Sequence, residues 1–273
     1  KENSRNNYQF FENKLNTDAL ARLILERELS QAVENNELIL HYQPQVCLLT
    51  RKIKGIEALV RWQHPSKGFL PPGEFIQFAE DSRLIIPIGT WVLEQACLQL
   101  KKLNLPELTV SVNLSPRQFA APNLLDTIKK ALSNSGLKGH QLELEITETA
   151  LMKNMANAIT TLKQIKSLGI QIAIDDFGTG YSSLSQLKNL PADTLKIDRE
   201  FIKDINKSTD NSVITEVIVS MGHKLGLTVI AEGVETEEQV EFIRQIQCDM
   251  AQGYFFSRPV DEVGLIKFLS MNT

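Results

Sequence analysis

The sequence predicts an α/β fold in the form of a (β/α) barrel, with a doubly wound sheet as the alternative. Strand-like and helix-like segments alternate from residue 38 to the end of the chain. Several strand segments are near-continuous apolar runs, as in IQIAI (170–174) and LTVSV (108–112), which suits parallel strands buried on both faces. Seven or eight such strands over about 240 residues match the size of a one-domain barrel.

Residues 1–16 are polar and Asn-rich, with aromatics at Tyr8, Phe10 and Phe11. They read as a linker or the tail of a preceding domain. From residue 17 to 273 we expect one domain, opened by a linker helix over 17–35 in which Leu20, Leu23, Ile24, Leu29, Ala32 and Val33 recur near helical spacing. Segments 38–46 and 54–62 read as strands joined by a turn, a hairpin-like start that makes the barrel irregular there. Helix 87–103, strand 108–114 and helix 122–133 follow. Then come strand 142–147, helix 154–167, strand 170–177, strand 194–198 and helix 212–225. The last elements are strand 229–234, helix 236–246, strand 251–256 and helix 260–269.

The chain has 273 residues, 42% of them hydrophobic and 23% charged, with a formal net charge of −4. That balance excludes global disorder and gives no basic signal for duplex nucleic acid. Cys47, Cys97 and Cys248 form no CxxC pair, so a disulfide scaffold or zinc knuckle is not expected and a reducing compartment fits. His41, His64, His140 and His223 form no metal-binding pair and read as ordinary surface or partly buried histidines. No apolar run has the length of a membrane span and no signal peptide is visible. Because the chain opens on Lys1 and not Met, we expect a segment of something longer. The expected location is the cytoplasm, including the cytoplasmic part of a membrane-anchored parent.

The acids fall at strand ends. Glu57 lies in KGIEALVRW, Asn113 ends LTVSVN, and Glu145 and Glu148 close LELEITE. Asp175 and Asp176 end IQIAIDD, Lys196 lies in TLKID, and Glu232 ends TVIAE. In a parallel barrel all strand C-termini meet on one face, where active sites are built. Converging acids repel unless cations compensate them. Oxygen ligands without His or Cys favour Mg²⁺ or Mn²⁺ over Zn²⁺. Any one of these acids could serve as a helix N-cap or a surface charge, but the repetition over five strands argues for a site. Of the adjacent pair Asp175-Asp176, one side chain should face inward and the other the next loop, and such a pair can bridge two metal ions. The FGTGYSSL loop behind them reads either as a turn or as a phosphate-binding loop.

At these residues the chain resembles the EAL-family cyclic-di-GMP phosphodiesterases, over about residues 29–269. Glu57-Ala58-Leu59 stands within EALVRW, and YQP spans 42–44. SVNLSPRQF covers 111–119, LEITE 144–148 and DDFGTGYSSL 175–184. KID stands at 196–198, AEGVE at 231–235 and QGYFFSRP at 252–259. The resemblance implies a modified TIM barrel with one antiparallel strand near its start.

It also implies a two-metal site. Mg²⁺ and Mn²⁺ should support activity, and Ca²⁺, which takes more ligands at longer distances, should bind but inhibit. Glu57, Asn113, Glu145 and Asp175 would ligate, with Asp175 bridging and Asp176 completing the second site. Lys196 would contact the attacking water, and Glu232 would be the general base or a metal-linked acid. Gln43, Arg61, Asp198 and Gln252 would contact the dinucleotide. Glu148 would hold the loop after Asp176, with Glu235 as its counterpart beside the site. The family further implies a homodimer near that loop. RNNYQFFENKLN (5–16) resembles the end of a GGDEF domain, so an upstream GGDEF or sensor partner is expected. Glu200, after KIDR, departs from the small polar residue expected there. The rival expectations are a non-catalytic cyclic-di-GMP receptor and, on fold analogy, a metal-dependent aldolase or phosphatase.

Overall fold

The computed structural model describes residues 23–178, 184–205 and 209–271. The expected tail at 1–16 and the first part of the linker helix lie outside them. The described residues open in a helix ending at residue 32 (α1). Nine strands follow: β1 (Leu38–Cys47), β2 (Ile53–His64), β3 (Gly68–Leu70), β4 (Thr109–Asn113), β5 (Leu142–Thr147), β6 (Gln171–Phe177), β7 (Thr194–Ile197), β8 (Thr228–Ala231) and β9 (Met250–Ala251). The remaining helices are α2 (Ile76–Asp81), α3 (Ile85–Leu103), α4 (Pro116–Phe119), α5 (Leu124–Ser135), α6 (Glu148–Met152), α7 (Met155–Lys166), α8 (Leu184–Leu187), α9 (Arg199–Lys203), α10 (Thr209–Lys224), α11 (Glu237–Gln245) and α12 (Glu262–Met271).

The chain divides into two compact units. The smaller holds the chain up to Ile39 together with Arg61–Ile88, and the larger holds Leu40–Val60 and Gly89–Thr273. In the smaller unit the far end of β2 pairs antiparallel with β3, Trp62 opposite Leu70. Trp62 and Phe75 are buried and meet edge to face at 5.7 Å. Trp62 Nε1 donates to Glu37 at 3.0 Å, which satisfies the buried indole.

In the larger unit eight strands close a barrel in the order β1-β9-β8-β7-β6-β5-β4-β2, with β1 paired back to β2. β2 and β4 to β9 are parallel neighbours, and β1 runs antiparallel to β9. This is the expected TIM-type barrel with one antiparallel strand. In β6 the run Ile172–Ile174 is continuously apolar because both faces of the strand are covered, whereas β5 (LELEIT) and β7 (TLKI) alternate buried apolar residues on the outer face, Leu144, Ile146, Leu195 and Ile197, with polar ones inside the barrel.

Two strand ends differ from the sequence expectation. β8 stops at Ala231 and not at residue 234, and β9 covers only Met250–Ala251 and not 251–256. The reason is a close backbone crossing beyond both strands. Val234 N–H donates to Gln252 O at 3.1 Å, and a Cβ on Gly253 would stand 2.1 Å from Val234 O. Only glycine fits there, and the chain leaves the ladder to make the crossing. The consequence for the site is that Glu232 and Gln252 each sit one residue past a strand, at the rim.

Candidate active site

Each barrel strand delivers one polar side chain to the rim: Gln43 from β1, Glu57 from β2, Asn113 from β4, Glu145 from β5, Asp175 from β6 and Lys196 from β7, with Glu232 and Gln252 just past β8 and β9. They touch. Gln252 Nε2 donates to Gln43 Oε1 at 3.0 Å and also to Glu57 Oε2. Asn113 Nδ2 donates to Glu57 Oε1 at 2.6 Å, and Gln43 Nε2 to Ser257 O at 2.9 Å. The Lys196 ammonium lies at the centre, 2.5 Å from Glu145, 2.6 Å from Glu232, 3.4 Å from Asp175 and 4.0 Å from Glu57.

Asp176 departs from strand alternation. The β6–β7 register shifts between Ile174 and Phe177, and Asp176 has a left-handed φ of 53°. A non-glycine residue pays strain in that region, and Asp is among the types that tolerate it. This corrects the expectation that one aspartate faces inward and the other the next loop. Asp175, Asp176 and Glu232 bring carboxylate oxygens within 4.8 Å of one another, the metal-sized acidic group among the described residues.

The electrostatics match that crowding. Burial pushes Glu232 up to about 8 against the pull of Lys196. Burial and the neighbouring Asp175 raise Asp176 to about 6. Glu145 is held well above the carboxylate range by burial and by Glu57. Burial opposes the Lys196 charge, yet Asp175, Glu145, Glu232 and Glu57 outweigh it and hold the lysine well above its usual range. One ammonium does not balance four acids, so some of them take up protons, and a divalent cation relieves the same repulsion. Asp175 Oδ1 is buried with the Lys196 ammonium at 3.4 Å but no hydrogen bond of its own, and the donors are oxygens of carboxylates and one amide. The residues therefore fit hard divalent ions.

The cavity over this rim has a volume of about 540 Å³ and is lined by Gln43, Glu57, Asp175, Lys196, Glu232 and Tyr254 among others. A cavity of about 560 Å³ bounded by Phe255, Phe256 and Phe268 has no such convergence of acids, so chemistry and not volume selects the site.

The other expected residues are placed as follows. Glu148 is buried at the start of α6, and its Oε2 accepts the Gly178 N–H at 3.0 Å. Asp198 caps α9, accepting from Glu200 N at 2.7 Å, and its carboxyl also meets that of Asp176. Glu235 lines the cavity, its N–H bound by Gln239 Oε1 at 2.7 Å next to the Thr236 capping box of α11. Arg61 belongs to the smaller unit. Residues 179–183 of the FGTGYSSL loop lie outside the described residues. Sequence reasoning missed Glu143, Gln45 and Thr194 inside the barrel, and Arg199 and Lys203 on the cavity wall. LELE carried a signal for Glu143, since residues two apart on a strand share a face.

Residues 26–259 match the family model described as the EAL domain. The chain belongs to the EAL domain family. This EAL domain is 45% identical over 268 residues to the cyclic di-GMP phosphodiesterase NbdA of Pseudomonas aeruginosa, covering 97% of this chain and 34% of that protein. It is 43% identical over 263 residues to the bifunctional diguanylate cyclase/cyclic di-GMP phosphodiesterase MucR of the same organism, covering 95% of this chain and 38% of that one. The chain thus spans about a third of the length of these curated relatives. The solved PaMucR phosphodiesterase in complex with c-di-GMP superposes with a TM-score of 0.86 at 43% identity, covering 88% of this chain and 99% of that chain. Among the described residues of this EAL domain, no helix is long and apolar enough to cross a membrane.

Proposed function

We propose that this EAL domain is a metal-dependent phosphodiesterase that hydrolyses one bond of cyclic-di-GMP and releases linear 5′-pGpG. The observation that carries the proposal is the gathering of Glu57, Glu145, Asp175 and Glu232 around the Lys196 ammonium, in a chain whose relatives are named as phosphodiesterases of that dinucleotide. Glu57, Asn113, Glu145, Asp175, Asp176 and Glu232 would hold two ions, Mg²⁺ or Mn²⁺. When bound, the ions supply positive charge to the phosphoryl oxygens and acidify a water.

The chain's own groups do the rest. Lys196 donates to the attacking water and offsets charge that grows on the phosphoryl group. Glu232, 2.6 Å from Lys196, takes the proton of that water as its oxygen bonds to phosphorus; one P–O3′ bond breaks, and the leaving 3′-oxygen takes a proton from solvent to give the 3′-hydroxyl and 5′-phosphate of linear pGpG. Gln252 Oε1, buried without a hydrogen-bond partner, and Gln43 offer amide groups to the bound dinucleotide. Asp198 serves the same ligand. Glu148 holds the start of the loop after Asp176 through Gly178, and Glu235 supports the rim beside Glu232.

A non-catalytic receptor for the same dinucleotide has no need of Glu57, the paired aspartates and Lys196 together, and all of them are present. A homodimer formed near the loop after Asp176, an upstream GGDEF or sensor domain and a cytoplasmic location complete the proposal. The test is incubation with cyclic-di-GMP and Mg²⁺ followed by ion-exchange chromatography. One new peak at the position of pGpG supports hydrolysis, and dinucleotide recovered bound but intact supports the receptor.

A further inference from the structure

Barrel interiors are usually filled by branched apolar side chains, but one step below this rim the layer is polar. Ser111 on β4, Glu143 on β5 and Thr194 on β7 are buried. Ser111 Oγ donates to Glu143 Oε1 at 2.8 Å, and Thr194 Oγ1 donates to Glu143 Oε2 at 2.7 Å. Gln45 Nε2 lies 3.5 Å from Ser111 Oγ and 3.5 Å from Glu145 Oε1, which ties this layer to the rim. Gly55 makes the room, since a Cβ there would stand 2.3 Å from Gln45 Oε1.

A buried carboxyl is a costly way to fill a core, because an apolar side chain of similar volume stabilises it as well or better. Its placement is informative. Ser111, Glu143 and Thr194 each precede a rim residue by two positions, namely Asn113, Glu145 and Lys196, and so share its inward face. The Glu143–Thr194 bond crosses from β5 to β7 over β6, where Ala173 is small. It therefore braces the two strands that carry Glu145 and Lys196, whose contact is 2.5 Å.

We infer that Glu143 is a positioning residue, a strut that sets the separation of Glu145 and Lys196 through its bonds to Ser111 and Thr194. The inference rests on the phosphodiesterase reading of the rim. Three variants test it: Glu143→Gln keeps both hydroxyl partners, Glu143→Leu removes the strut at similar volume, and Thr194→Val removes one end. Each is compared with wild type for kcat, KM, thermal melting and Mn²⁺ binding by calorimetry without nucleotide.

Loss of the strut should lower kcat by about tenfold or more in Glu143→Leu, with KM changed less than about threefold and Mn²⁺ affinity weakened in parallel. Glu143→Gln should stay within about threefold of wild type on every readout, and Thr194→Val should fall between them. A folded Glu143→Leu with wild-type kcat and Mn²⁺ affinity overturns the inference. So does a Glu143→Gln as impaired as Glu143→Leu, because charge and not position would then matter. If Glu143→Leu does not fold, Thr194→Val decides on the same readouts. A wild-type protein that leaves cyclic-di-GMP intact overturns the phosphodiesterase proposal instead, and Mn²⁺ binding still decides the strut.

Discussion

Asp176 follows Asp175 directly in the chain, yet both carboxylates reach one cluster with Glu232, because Asp176 adopts a φ of 53° at a register shift between β6 and β7. Strand alternation alone would have sent them to opposite faces. The strain at Asp176 is thus part of how the site gathers its acids.

That strain predicts a conflict between stability and activity. In Asp176→Gly the left-handed conformation costs nothing, so thermal stability should hold or rise by up to about 1 kcal/mol. Turnover should fall by about a hundredfold or more, because an ion ligand is gone. A β-branched Asp176→Val should be both unstable and inactive. An active Asp176→Gly would remove Asp176 from the ligand set.

The raised acids predict an unusual pH dependence without metal. Glu232, at about 8 against an ordinary 4.5, and Asp176, at about 6 against 3.8, keep protons in the folded state that the unfolded chain releases. Between those limits the folded state binds more protons, so stability declines as pH rises. Their contribution is fully present below about pH 4 and lost progressively up to about pH 8. Melting in EDTA should therefore be lower at pH 8 than at pH 5. Mg²⁺ should raise it more at pH 8, where it binds ionised acids. Equal Mg²⁺ effects at both pH values would count against a metal at these carboxylates.

Metal choice follows from the donor set. EDTA should abolish turnover and Mg²⁺ or Mn²⁺ restore it. Ca²⁺ should bind and inhibit, since it takes more ligands at longer distances and activates water poorly. Turnover in Ca²⁺ equal to that in Mg²⁺ would contradict the compact site.

Glu148 is expected to act at one remove. Its Oε2 accepts from Gly178 N–H, two residues after Asp176. Glu148→Ala should lower kcat by about tenfold, the scale of one lost charged hydrogen bond, while Glu148→Gln, which keeps an acceptor, should recover most of it. Equal kinetics for the two variants would separate Glu148 from the loop.

Much of this was legible in the sequence, for physical reasons. Parallel strands buried on both faces tend to be apolar, so IQIAI and LTVSV stand out, and an acid or amide that ends such a run has few structural uses. β3, three residues long, and α4, α8 and α9, of four or five residues, are too short for any periodicity to show. The ends of β8 and β9 depend on Gly253 meeting Val234, a contact between distant segments. The left-handed turn at Asp176 has no signal in composition. Glu143 hid in plain view, since LELE puts two acids on one strand face and only the rim one invited a chemical role.

The central claim is that the acids gathered around Lys196 cut cyclic-di-GMP, and it is tested most directly by the product of a saturating reaction. Wild type and Lys196→Met are incubated with Mg²⁺ and excess cyclic-di-GMP, both checked for folding by circular dichroism, and the nucleotides are separated by chromatography. Wild type should convert the substrate to linear pGpG. Lys196→Met should be slower by about a thousandfold, or 4 kcal/mol of barrier, while still binding Mn²⁺. Intact cyclic-di-GMP in the wild-type reaction, or undiminished turnover in a folded Lys196→Met, would contradict the account.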